Sequence, residues 1–241
     1  SSEEIIRTLE KAIRESEEKL ERLVRRDEEV VKDLRTKLRE NLDRVRRMVE
    51  ELVRMLESGK PAEDILREAE RLSKENIETL EEILKKAERV SEESIRVLEE
   101  ILKENEEVVR KIIKDLPKTE KADEVVERLK ELLKRSEDVI RKVVEDSERL
   151  LDRLRRVIED VVRRSRELLT KLREVVKRVR DKDTLVKVLK EVLERHVEAD
   201  EKAVRELAKV LEENVRLLEE LVRVNKEVLR RILELVKELA K

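Results

Sequence analysis

The sequence contains no cysteine and no phenylalanine, tyrosine or tryptophan. Without cysteine it can form neither disulfides nor thiolate metal sites, it has no cysteine nucleophile, and it gives no sign of a redox compartment. One glycine and two prolines in 241 residues leave room for very few turns. A β-sheet or an active site built from loops is therefore not expected.

Long apolar runs and an excess of one charge are also missing. No run is long enough for a membrane span or for the apolar centre of a signal peptide. We therefore expect a soluble protein without a targeting signal, cytoplasmic on recombinant expression. The 61 Lys and Arg residues are balanced by 63 Asp and Glu residues. Basic clusters such as RVRR at 44–47 have acidic neighbours, so nucleic-acid binding is not expected.

The residues that are present favour long amphipathic helices. Charged residues make up 51% of the chain, and the hydrophobic 38% is almost entirely aliphatic. The aliphatic residues recur in steps of three and four, with a mean between 3.5 and 3.6 in the first quarter of the chain. A disordered chain lacks this strict periodicity, so the pattern predicts a folded, all-α protein.

Three breaks divide the pattern into four helices. Gly59 suits the left-handed end of one helix, and Pro61 suits the first turn of the next. Pro117 ends the second helix at Leu116, and Thr119 can cap the third. The third break, RDKDT at 180–184, has turn and capping aspartates but no glycine or proline. The predicted helices span about 2–57, 61–116, 119–180 and 183–241.

Two repeats indicate how the helices are arranged. Residues 73–90 and 91–108 share most positions, and 18 residues are five helical turns, so the helices are predicted to be weakly twisted. A larger repeat of 120 residues aligns 16–35 with 136–155 and 94–113 with 214–233. Neither hairpin, 1–118 or 119–241, can bury its apolar face alone. We therefore predict one antiparallel up-down-up-down four-helix bundle over 1–241, a duplicated hairpin with pseudo-two-fold symmetry.

Polar residues interrupt the apolar seam at positions that match from helix to helix. In two consecutive antiparallel helices, the numbers of residues at equal height have a constant sum, and half of that sum is the position of the connecting turn. The polar residues give one such sum for each of the three turns. This predicts three buried, hydrogen-bonded layers, although a single member could instead face water. The layers are Ser16, Asn105, Ser136 and Asn225; then Asp27, Ser94, Ser147 and Asn214; then Asn76, Ser165 and His196, with Asn41 one turn away. Ser73, Thr79 and Ser91 lie beside the seam and either extend these layers or face solvent.

Such layers select one arrangement of the helices. A buried polar group without a partner costs about 1 to 3 kcal/mol, so a shifted register breaks every layer. The two hairpins also differ at the layer positions, where Asp27 aligns with Ser147 and Asn76 with His196. This asymmetry favours pairing between the two hairpins over pairing of either with its own copy.

These features resemble de novo designed helical bundles with buried hydrogen-bond networks, especially designed heterodimers of helical hairpins. The likeness covers the whole chain: EEIL and LEEL phrases, PAED after a short turn, no aromatics, and PKTEKAD at 117–123 joining the hairpins. It implies a structural scaffold without a natural substrate or a required partner. The alternative is a pairing or switch module that opens to bind a designed partner chain or a second copy.

An enzyme or cofactor bundle is the least favoured interpretation. His196 is the only histidine, and Asp200 lies one turn further on the same face. A bundle metal site needs three or four ligands, and the Glu-x-x-His pattern fails because residue 193 is leucine. No histidine shares the layer of Asp27, Ser94 and Ser147, so no hydrolytic triad is predicted. We expect no catalytic residue, metal or cofactor, and a raised pKa for Asp27 if it is buried.

Overall fold

A computed structural model of the chain describes residues 2–240. This part of the chain forms four α-helices and contains no strand. Each helix begins and ends within two residues of its predicted bounds, with Lys241 outside the described residues. The helices are α1 (Ser2–Glu57), α2 (Ala62–Asp115), α3 (Glu120–Arg178) and α4 (Lys182–Ala240).

The turn between α1 and α2 depends on Gly59. Its φ is 79°, in the left-handed region that glycine adopts without steric strain because it has no Cβ. Gly59 N donates to Leu56 O at 3.2 Å, and Lys60 N donates to Met55 O at 3.0 Å. These bonds satisfy carbonyl groups that the last turn of α1 leaves without helical partners.

The other two turns are held by side-chain caps. Thr119 Oγ1 accepts a hydrogen bond of 3.1 Å from Ala122 N at the start of α3. At the start of α4, Asp181 Oδ2 accepts bonds from Thr184 N at 3.2 Å and Thr184 Oγ1 at 2.6 Å. These two bonds hold the pKa of Asp181 below its usual value. The aspartate cap therefore organises a turn that has no glycine.

The chain divides into two compact units, and every helix contributes one segment to each. The first unit comprises Ser1–Val30, Arg89–Leu150 and Glu213–Lys241. The second unit comprises Val31–Glu88 and Leu151–Glu212. Each unit has its own apolar core built from the aliphatic stripes of its helices. No large hydrophobic side chain is exposed among residues 2–240.

The apolar cores leave the polar side chains in separate groups. In the first unit, one aliphatic cluster is centred on Leu9, Ile112 and Leu129, and a second on Leu20, Ile101 and Ile140. In the second unit, one cluster includes Leu52, Leu172 and Leu189. The buried polar residues interrupt the apolar stripes of these same helices, and they form the candidate site of each unit.

Candidate functional site

Most of the polar residues of the seam are buried. In the first unit these are Ser16, Asp27, Ser94, Asn105, Ser136, Ser147 and Asn225. In the second unit they are Asn41, Ser73, Asn76, Ser165 and Asp200, together with the His196 side chain, which is 9% exposed. Asn214 is only half-buried. Burial removes these groups from water, so their protein partners determine their energetic effect.

One polar connection in the first unit is centred on Asn225. Its Nδ2 donates to Ser16 Oγ at 3.2 Å, and its Oδ1 accepts from Asn105 Nδ2 at 3.4 Å. One amide on α4 therefore joins α1 to α2 through consecutive hydrogen bonds. Ser136, the fourth residue of this predicted layer, is also buried, but its Oγ has no partner among the described residues.

The second group of the first unit is centred on the Asp27 carboxyl. Ser94 Oγ lies 3.1 Å from Asp27 Oδ1 and 3.3 Å from Oδ2, and it donates to the carboxyl. Burial raises the pKa of Asp27 from 3.8 to about 6, although the Ser94 hydrogen bond and the charge of Arg26 act in the opposite direction. Ser147 and Asn214 belong to this predicted layer, and the hydrogen bonds described for Asp27 and Ser94 do not include them.

In the second unit the amides of Asn41 and Asn76 are joined directly. Asn41 Nδ2 donates to Asn76 Oδ1, which links α1 to α2. Ser73 Oγ donates to the backbone oxygen of Ser165 at 3.3 Å, which links α2 to α3. The side chain of Ser165 is fully buried, and its Oγ has no hydrogen-bond partner within the described chain.

His196 and Asp200 form a second polar group in this unit. Nε2 of His196 lies 3.4 Å from Oδ2 of Asp200, and neither carboxyl oxygen has a hydrogen-bond partner among the described residues. Burial raises the pKa of Asp200 from 3.8 to about 7, opposed by the positive charge of Arg164. Burial also lowers the pKa of His196 from 6.5 to about 4, and the charges of Arg164 and Lys171 reinforce this shift.

Two small cavities lie beside the polar groups of the second unit. One has a volume of about 20 Å³ and is lined by Ser73, Asn76 and His196 together with aliphatic side chains. The other has a volume of about 10 Å³ and is lined by Asn41, Asn76 and Asp200 among aliphatic side chains. Both are far smaller than the roughly 300 Å³ of a small-molecule pocket, so neither can hold an organic substrate.

Two participants were not assigned to a layer from the sequence. Asp200 was considered only as a possible metal ligand, although its position one turn after His196 placed it on the same face. Arg164, which precedes Ser165, has no place in the predicted layers, yet its Nε is buried without a described partner and its Nη2 lies 3.5 Å from Ala199 O. Thr79, beside the seam, bonds locally to Glu75 O at 2.9 Å.

The arrangement offers little for metal chemistry. No group of three or more metal-binding side chains occurs among residues 2–240. The polar groups instead provide hydrogen bonds between helices and two carboxyl groups with raised pKa values. Separately, none of the helices in this range has a stretch long and apolar enough to cross a membrane.

Comparison with known proteins shows similarity to a designed structure. No protein-family model and no curated protein matches the chain. Among solved structures, the chain is similar to a computationally designed three-helix bundle, with 17% identity and a TM-score of 0.31. The alignment covers 92% of this chain and 93% of that chain.

Proposed function

We propose that this chain is a designed structural scaffold, in which two helical hairpins recognise each other in an antiparallel up-down-up-down four-helix bundle. The hairpins are residues 1–118 and 119–241, and the single bundle over 1–241 is part of the proposal. In this role the buried polar residues determine which helices pair and in which register. The proposed scaffold has no catalytic residue and requires no cofactor.

Contacts within the first unit support the antiparallel order. Residue numbers rise along α1 as those of its partners fall along α2 and α4. The pairs with α2 are Lys19 with Glu104 and Arg26 with Glu93, and the pairs with α4 are Glu10 with Lys237 and Ser16 with Asn225. Neighbouring helices that run in opposite directions produce this pattern.

Contacts within the second unit independently support the same order. Residue numbers again rise along one helix and fall along its partner, for α1 with α2, α1 with α4 and α2 with α3. The pairs are Asp33 with Lys86, Asn41 with Asn76, Arg35 with Glu212, Arg46 with Glu201, Glu70 with Arg173, and Glu88 with Arg155. Exposed ion pairs contribute little stability, so they indicate register more than they maintain it.

The observation that carries the proposal is the chain of hydrogen bonds through Asn225. Its two partners, Ser16 and Asn105, are 209 and 120 residues away in sequence. Moving any of the three helices by one turn, about 5.4 Å, would separate at least one donor from its acceptor. The cost of leaving these buried groups unpaired, about 1 to 3 kcal/mol each, would then oppose the wrong register.

The first experiment measures the mass of the intact chain by size-exclusion chromatography with light scattering. Refractive-index detection is needed because the chain has no aromatic residue. A mass near 28.8 kDa at both micromolar and near-nanomolar loading supports a scaffold closed within one chain. A mass near twice this value that falls on dilution would favour the pairing or switch module, in which chains share hairpins.

A second experiment tests pairing specificity directly. Residues 1–118 and 119–241 would be produced separately, mixed, and examined by native mass spectrometry. We expect the mixed pair to predominate over either self-pair, because the two hairpins have different polar residues at aligned positions. As a control, Asp27→Ser makes the first hairpin resemble the second at Ser147 and should reduce this preference. Equal amounts of mixed and self-paired species would contradict the proposed role of the layers.

A further inference from the structure

The His196 and Asp200 pair is the one ionisable pair of the second unit with almost no access to water. The two side chains are 9% and 5% exposed, and their nearest polar atoms, Nε2 and Oδ2, are 3.4 Å apart. A buried carboxylate is tolerated when several donors surround it, but both Asp200 oxygens lack a hydrogen-bond donor in the described chain. A negative charge on this carboxyl is therefore poorly accommodated.

The surroundings of the pair also disfavour a charged imidazole. From α3, the positive charges of Arg164 and Lys171 both act on His196. From α1 and α2, the polar residues lining the adjacent cavities are the uncharged Asn41, Ser73 and Asn76.

Other charges near this region are already paired at the surface or directed elsewhere. Arg46 of α1 pairs with Glu201 of α4, which is next to Asp200 in sequence, in a partly exposed ion pair at 3.0 Å. Arg164 places its Nη2 3.5 Å from a backbone oxygen, that of Ala199. The charge of Arg164 also favours the ionised form of Asp200, but burial of this carboxyl has the larger effect and raises its pKa. An imidazolium at His196 would therefore face a buried carboxyl that has no hydrogen-bond donor in the described chain.

We propose that His196 and Asp200 form an uncharged pair in the folded protein, in which the Asp200 carboxyl carries the proton and donates it to Nε2 of a neutral imidazole. In the unfolded chain near pH 5, the imidazole is protonated and the carboxyl is ionised. Folding therefore breaks an N–H bond on the histidine and forms an O–H bond on the aspartate. One proton is bound before and after, so this step exchanges no proton with solvent.

This transfer has a specific consequence for the pH dependence of stability. Asp200 has a pKa raised to about 7 in the folded state, so alone it would lose stability as pH rises from 3.8 to about 7. His196 has a pKa lowered to about 4, so alone it would lose stability as pH falls from 6.5 to about 4. Between about pH 4 and 6.5 the two contributions have opposite slopes and cancel. Below about pH 4 both groups are protonated in the folded and in the unfolded chain, so the pair adds no further pH dependence there.

The first test is NMR of the intact, unmodified chain. His196 is the only histidine, so the imidazole signals need no assignment by mutation. At pH 5 an ordinary histidine is mostly protonated. We expect ¹⁵N-detected shifts of a neutral ring with the proton on Nδ1 and with Nε2 as acceptor. An imidazolium at pH 5 would overturn the proposal, because the pair would then be an ion pair.

The second test compares unfolding constants of three variants between pH 4.5 and 6. The double variant His196→Gln, Asp200→Asn is the reference. It retains all other ionisable groups, so their contribution to the pH dependence is removed when the other proteins are compared with it. Relative to it, the parent chain should show no pH dependence. Asp200→Asn should unfold about tenfold more readily for each pH unit of acidification, and His196→Gln about tenfold more readily for each unit of increase.

The proposal would be overturned if the unfolding constants of the reference and of both single variants changed with pH in the same way. If a single variant does not fold, the NMR measurement on the parent chain decides the question by itself.

Discussion

The two units differ in how they bury a carboxyl group. In the first unit, Asp27 accepts hydrogen bonds from Ser94 at 3.1 and 3.3 Å, and its pKa is raised to about 6. In the second unit, Asp200 is buried to a similar degree without a donor, and its pKa is raised further, to about 7. One hydroxyl donor thus accompanies a smaller shift, as expected when a hydrogen bond stabilises the ionised form.

The comparison separates two uses of a buried polar residue. The amides of the first unit join three helices through Asn225, and this connection depends on geometry and not on pH. The second unit contains the imidazole, and its polar groups combine an amide pair with the ionisable pair of His196 and Asp200. The first arrangement fixes register through neutral amides, whereas in the second the opposite pH dependences of His196 and Asp200 cancel only while both groups are present.

The largest predicted effect tests whether the apolar cores of the two units are equivalent. Leu129 in the first unit and Leu207 in the second are both 0% exposed. Each substitution to alanine should reduce the free energy of unfolding by about 2 to 5 kcal/mol, from lost burial and the resulting cavity. Denaturant unfolding followed by circular dichroism at 222 nm measures this. A loss below about 1 kcal/mol in one unit only would show that its core is less well packed.

The next effect concerns the amide that connects three helices. Asn225→Ala leaves Ser16 Oγ and Asn105 Nδ2 without their partner, so we expect a loss of about 2 to 4 kcal/mol. Asn214→Ala is the matched control, because Asn214 is on the same helix but only half-buried, and its loss should be below about 0.5 kcal/mol. Equal losses at the two positions would mean that the hydrogen bonds of Asn225 are not distinctive.

A third prediction uses the raised pKa of Asp27. Because its folded pKa is about 6 and its unfolded value 3.8, ionisation costs stability progressively as pH rises through this interval. Asp27→Asn keeps an acceptor for Ser94 and removes this cost. Relative to the parent, the variant should therefore gain about 2 to 3 kcal/mol between pH 3 and pH 8.

The control for this prediction is Ser147→Ala, which alters the same predicted layer without touching the carboxyl. Its stability relative to the parent should not change with pH. A constant difference for Asp27→Asn would show that the carboxyl is ionised at little cost, as it would be if it reached water.

The sequence was sufficient to predict the four helices and their turns. Gly59, Pro61 and Pro117 act locally, through allowed φ values and the missing amide hydrogen, so their effect can be read without tertiary information. The third turn has no glycine or proline, and the sequence offers two aspartates, Asp181 and Asp183, as possible caps. The structure places the cap on Asp181, since that carboxyl accepts both bonds from Thr184.

The candidate site was less predictable, for two physical reasons. Periodicity indicates which residues face inward, and Ser16, Asn105 and Asn225 are buried and hydrogen-bonded to one another. Whether a hydroxyl finds a partner depends on shifts of a few tenths of an ångström and on its rotamer, which no spacing rule specifies. The inward position of Asp200 was visible in the helical spacing, but its burial depends on the side chains packed over it.

The smallest predicted effect is also the sharpest comparison of the two units. Ser136 in the first unit and Ser165 in the second each bury an Oγ with no described partner. Replacing either by alanine should stabilise the protein by up to about 1 kcal/mol, because an unpaired hydroxyl is costly to bury and alanine favours helix. Ser91→Ala, at a half-buried helical position, is the control for helix propensity alone. A gain at Ser136 with a loss at Ser165 would show that the second hydroxyl has a partner in solution, and that the polar groups near His196 are more fully connected than their counterparts in the first unit.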